Sequence, residues 1–99
     1  MKRTFIALAA IEMLSPSVAW SDDILVNCPS NASTCTHTYR IAANRTDTFV
    51  GKCGGSDAST SCKPAAAYIS CNNGGASNQC SCTNSDSEKS GSATVTVGC

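Results

Sequence analysis

The sequence is poor in the residues from which most catalytic and metal sites are built. Histidine occurs once, at His37. Aromatic residues make up 5% of the chain, and two of them, Phe5 and Trp20, fall in the first 21 positions. That leaves Tyr39, Phe49 and Tyr68 for a core or a sugar-stacking platform. There is no H-E-x-x-H, no P-loop and no G-x-G-x-x-G. No two cysteines stand in a C-x₂-C pair, so the short thiolate spacing of structural zinc sites is missing. Seven basic side chains balance seven acidic ones, which argues against a basic face for nucleic acid or anionic lipid. No apolar run is long enough to span a bilayer. No segment carries three turns of amphipathic helical periodicity.

What the chain does have begins at its N-terminus. In "MKRTFIALAAIEMLSPSVAWSDD", Lys2 and Arg3 precede an apolar stretch from Thr4 to Ile11, and small residues follow around Ser17, Ala19 and Ser21. This is the tripartite pattern of a secretory signal peptide, with Glu12 as an unfavourable charge beside its apolar part. Residues 1–21 are therefore expected to be a cleaved signal, and 22–99 a single extracellular domain of about 78 residues. Without Lys2, Arg3 and Glu12, five basic and six acidic side chains remain, a formal charge near −1.

All eight cysteines lie in the mature part: Cys28, Cys35, Cys53, Cys62, Cys71, Cys80, Cys82 and Cys99. Four of them, from Cys53 to Cys80, are spaced every nine residues. The intervening "GGSDASTS", "KPAAAYIS" and "NNGGASNQ" share little beyond small residues, so the period reflects a strand-plus-turn length rather than a repeat. An even number of cysteines behind a signal peptide, in a chain with few large apolar residues, predicts four disulfides. On the order of a hundred pairings are open to eight cysteines. Cys80 and Cys82 lie two apart on one strand face and are each expected to bond elsewhere.

Alternation places the strands. Ile24–Val26 opens the domain and ends at Cys28-Pro29. "HTYRIA" puts Tyr39 and Ile41 on one side, and "TFVGKC" does the same for Phe49 and Cys53, which together predict a hairpin from His37 to Cys53. "GGSDASTS" reads as loop. "KPAAAYIS" fits either a helical turn opened by Pro64 or a strand with Ala67, Ile69 and Cys71 on one face. "NNGG", Asn72 to Gly75, is the strongest turn. "NSDSEKSG" reads as a solvated loop, and "SATVTVGC" as a strand with Ala93, Val95, Val97 and Cys99 facing one way. The expected fold is small and disulfide-rich, mainly antiparallel β with about five short strands and at most one short helix.

Chemistry-bearing constellations are sparse. His37 stands alone in a polar, strand-like stretch. Asp86 and Glu88 could in principle pair for glycoside hydrolysis, but they sit in a serine-rich loop. "GKCGG" around Cys53 imitates a nucleophile elbow, yet the cysteine count gives every thiol a partner. No catalytic, cofactor-binding or metal-ligating residue is expected. Asn31-Ala32-Ser33 and Asn44-Arg45-Thr46 are N-glycosylation sequons in predicted turns, making Asn31 and Asn44 candidate acceptors. Loops 54–61 and 72–79, rich in Gly, Ser and Asn, suit hydrogen bonding to a sugar or protein.

Those eight cysteines, the signal segment, the polar loops and the near-neutral charge resemble, at the level of profile, the small secreted cysteine-rich proteins of plant-associated fungi, including apoplastic effectors. The resemblance implies survival in protease-rich host fluid and recognition of, or interference with, host proteins. Taken with the missing catalytic motifs, the polar loops and the balanced charge, the expectation is a non-enzymatic, monomeric virulence protein that binds a host protein or surface glycan, with no nucleic acid and no stable membrane insertion. A secreted toxin of the killer or antifungal type is the alternative class.

Overall fold

A computed structural model describes residues 23–99 of the 99-residue chain; the signal segment expected over 1–21 lies outside the described residues. Eight strands and no helix occur among them: β1 (Asp23–Cys28), β2 (Thr34–Ile41), β3 (Thr46–Cys53), β4 (Ser56–Asp57), β5 (Ser59–Pro64), β6 (Ile69–Asn72), β7 (Gln79–Asn84) and β8 (Gly91–Gly98). They form two sheets packed face to face. The larger runs β1-β3-β7-β6, with β4 paired to the end of β3; the smaller runs β2-β8-β5.

The alternation read from the sequence is what the sheets bury. On β8, Gly91, Ala93, Val95 and Val97 turn inward. On β3, Asp47, Phe49 and Gly51 turn inward. Phe49, Ile41, Val26, Val95 and Val97 are the largest fully buried apolar side chains between the sheets. Four of the eleven buried apolar residues, Cys28, Cys62, Cys80 and Cys82, are half-cystines. Crosslinking sulfur therefore fills the interior as well as bracing it, so a chain with few large apolar residues still obtains a buried core.

The cysteines pair as Cys28–Cys35, Cys53–Cys99, Cys62–Cys80 and Cys71–Cys82. The first three each join one sheet to the other. Cys71–Cys82 joins neighbouring strands β6 and β7, where the two residues stand directly opposite. Cys80 and Cys82 find separate partners, as their spacing on one strand face requires.

Several sequence expectations are revised. The chain is mainly β, but with eight strands rather than about five, and the β1–β3 pair is parallel. His37 to Cys53 is not a hairpin. β2 and β3 belong to different sheets because Tyr39 and Phe49 pack ring against ring across the interior, with centroids 5.0 Å apart. The turn between them is made by Asn44 at φ 56°. "GGSDASTS" is not simply loop. Gly54 and Gly55, at φ 57° and 92°, reverse the chain into β4. It then crosses to the smaller sheet at Ala58, whose N–H bonds Gly51 O at 3.1 Å, and continues as β5. The inward residues of β5 are Thr60 and Cys62, too few apolar side chains to show an alternation. Residues 65–68 form a turn, β6 starts at Ile69, and Ala67 is exposed rather than on the strand face.

Candidate functional site: the outer face of the smaller sheet

The inward parity of β2, β5 and β8 fixes their outward residues. β2 presents Thr34, Thr36, Thr38 and Arg40; β8 presents Ser92, Thr94 and Thr96; β5 presents Ser59, Ser61 and Lys63. Register aligns them in rows: Thr36, Thr96 and Ser61 in one, Thr38, Thr94 and Lys63 in the next. Rows are about 6.8 Å apart along the strands and neighbours about 4.8 Å apart across them. Eight hydroxyls and two cations thus share one face, with no carboxylate at any outward position of these strands. Thr36 and Thr96 share a hydrogen bond at 3.3 Å between their hydroxyls, and Arg40 donates to Ser90 Oγ at 3.0 Å. Five of the eight hydroxyls belong to β-branched threonine, which has few rotamers, so these have little side-chain freedom to lose on binding.

The larger sheet's outer face differs. Asp23, Leu25, Asn27, Thr48, Val50 and Lys52 alternate outward on β1 and β3. Leu25 is 57% exposed and is the one large apolar side chain so exposed among the described residues. Lys52 pairs with Asp57 at 2.7 Å; that ammonium, by hydrogen bond and charge, holds the Asp57 carboxyl below its ordinary range. Asp23 and Asp57 thus lie on the sheet opposite the hydroxyl face. Asp23 opens β1 opposite Thr48.

The residues singled out for chemistry are dispersed. His37 is exposed on β2, its ring 6.2 Å from that of Tyr39. Asp86 accepts the backbone N–H groups of Lys89 at 2.9 Å and Glu88 at 2.7 Å, which lower its pKa, so it shapes the 85–90 loop. Cys53 of the elbow-like "GKCGG" is bonded to Cys99. No cysteine is free. Asn31 and Asn44 are both exposed in turns, so both sequons are sterically open. Phe49 is core, while Tyr39 and Tyr68 are half-buried against it.

Two asparagines whose roles the sequence did not reveal organise the surroundings. Asn84 is fully buried; its Nδ2 donates to Ile41 O at 3.0 Å and Lys89 O at 2.8 Å, and its Oδ1 accepts the Asp86 N–H at 2.8 Å. Asn73 accepts the N–H of Cys62 at 2.8 Å and donates to its carbonyl at 3.1 Å, pairing with the edge of β5 as another strand would. The only signal for either was an Asn next to a loop, which is common to many turns.

The fold and its surface define a disulfide-stapled β-sandwich with one hydroxyl-covered sheet face. Comparison with protein-family models, with curated proteins and with solved structures gave no match.

Proposed function

We propose that this chain is a secreted, non-enzymatic, effector-like protein that acts outside the producing cell by docking the outer face of β2-β8-β5 on a host target. The observation that carries the reading is the concentration of eight hydroxyls with Arg40 and Lys63, and no carboxylate, on that one rigid face. Such a surface complements a hydroxyl-rich, acidic partner: it can donate and accept hydrogen bonds along the strands while the two cations meet negative charge. Among the partners expected from sequence, an acidic surface glycan fits this chemistry best. A host protein with an acidic patch is the other outcome of the test. Support for an extracellular setting comes from the four disulfides, which persist in oxidising compartments.

The test is binding of the purified oxidised protein to plant cell-wall polysaccharides of graded uronate content, alongside infiltration into plant tissue. Thr94→Glu with Thr96→Glu places two carboxylates at the centre of the face and is expected to weaken binding about tenfold or more. Leu25→Ser, on the opposite sheet, is expected to leave it unchanged. Equal binding by both variants, or hydrolytic turnover that disappears in His37→Ala, overturns the reading.

A further inference from the structure

At one end of the sandwich two disulfides lie against each other. The Sγ atoms of Cys28, Cys53 and Cys99 all fall within 4.8 Å of one another, although Cys28 is bonded to Cys35 and Cys53 to Cys99. Cys28 and Cys53 are also register partners on the parallel neighbours β1 and β3. Adjacent strands stand about 4.8 Å apart, within the Cα span that a disulfide bridges. A Cys28–Cys53 bond therefore needs little backbone movement. The residues also differ in exposure: Cys99, whose Sγ lies 3.8 Å from Pro29 O at the surface, is exposed, whereas Cys28 is 1% exposed.

We infer that these two disulfides form a thiol-exchange site, entered by an external thiolate at Cys99 and ending with Cys28 bonded to Cys53. The incoming thiolate attacks Cys99 Sγ. A bond forms between the external sulfur and Cys99, the Cys53–Cys99 bond breaks, and its electron pair leaves on Cys53. The Cys53 thiolate then attacks Cys28 Sγ. The Cys28–Cys35 bond breaks, and the pair leaves on Cys35, which takes a proton from water. Two disulfides are consumed and two are made, so no oxidant or further reductant is required. The substrate class is a thiol, either a small one of the glutathione type or the reactive cysteine of an extracellular oxidoreductase.

The exchange changes what is held together. Cys28–Cys35 and Cys53–Cys99 both tie sheet to sheet, whereas Cys28–Cys53 lies within the larger sheet alone. Afterwards Cys62–Cys80 is the one remaining disulfide between the sheets. The first residues of β2 and the last of β8, which begin and end the hydroxyl face, lose their anchors. This inference stands whether or not that face binds a glycan.

Glutathione at one equivalent is added to the native oxidised protein at about pH 8, near the ordinary thiol pKa of about 8.5. Free thiols are then trapped with N-ethylmaleimide and the peptides mapped. The expected products carry glutathione on Cys99, N-ethylmaleimide on Cys35 and a Cys28–Cys53 crosslink, with Cys62–Cys80 and Cys71–Cys82 intact. The variant Cys99→Ser, which leaves Cys53 without its partner, is expected to show its free thiol at Cys35. Label on Cys53 with Cys28–Cys35 intact, earlier opening of either other disulfide, or no reaction of the native protein overturns the inference. If Cys99→Ser fails to fold, the wild-type map alone decides.

Discussion

Asn84 is the residue whose loss the fold tolerates least for its size. Asn84→Ala removes three hydrogen bonds, taking the side-chain donor from Ile41 O in the interior and from Lys89 O in the part-buried loop. Stranded polar groups cost about 1–3 kcal/mol, and urea unfolding with disulfides intact should show a loss of about 3 kcal/mol. Gly51 is constrained differently. A Cβ there would run into Thr60 Oγ1 and stand 2.9 Å from Val97 Cγ2, so Gly51→Ala overfills the space where β3 faces the smaller sheet. The expected cost is about 2 kcal/mol, read from the same urea transition. Two carboxyls add a pH dependence. Folding depresses Asp86, through its bonds to Lys89 and Glu88, and Asp57, through Lys52, below their ordinary 3.8. Their contribution is complete above that value and vanishes as pH falls through the depressed values. Stability should therefore decline below about pH 4, and Asp86→Ala should shallow that decline in an acid titration followed by circular dichroism.

Among the elements, the strongest sequence signals survived best. "SATVTVGC" became β8, the central strand of its sheet, because a run of Ala93, Val95 and Val97 opposite Ser92, Thr94 and Thr96 leaves only one way to face the core. The chain does leave β6 after Asn72, whose Oδ1 accepts the Gly74 N–H at 2.8 Å, and Gly75 stands at φ 97°, but the hydrogen-bonded turn comes later than expected, at Ala76–Gln79, where the Gln79 N–H bonds Ala76 O at 3.3 Å. Pairing partners were not legible. Alternation assigns a face and says nothing of which strand lies alongside, so Tyr39 and Phe49 look the same whether they share a sheet or meet across two. β5 was missed because its inward residues are a threonine and a cysteine. The candidate face was hidden for a related reason: Thr36, Thr96 and Ser61 lie far apart in the chain and become one row only after β2 and β5 flank β8. The β5 edge gives this scale its own prediction. Asn73→Ala removes both clasps on Cys62, and the Cys62 amide should then exchange with solvent about fivefold faster or more, since one lost hydrogen bond is worth about 1 kcal/mol.

For the molecule as a whole, sulfur crosslinks do the work that a larger hydrocarbon interior would do elsewhere. Replacing Cys62 and Cys80 together by Ala removes a link spanning 18 residues and two buried side chains. It should cost about 3–5 kcal/mol, seen as a lower unfolding midpoint and faster proteolysis. Complete reduction should abolish the native circular dichroism signal.

The parallel β1–β3 ladder and the β2–β8 pairing join segments that are remote along the chain; Thr36 meets Thr96 across 60 positions. Contacts of that kind are found slowly. A fully reduced chain exposed to a strong oxidant would bond its cysteines before the sheets had assembled, and wrong isomers would accumulate. Recombinant preparations should therefore yield one species only where oxidation is gentle or an isomerase is present, and heterogeneous material from rapid air or copper oxidation is to be read as kinetic trapping rather than as conformational variety of the native state.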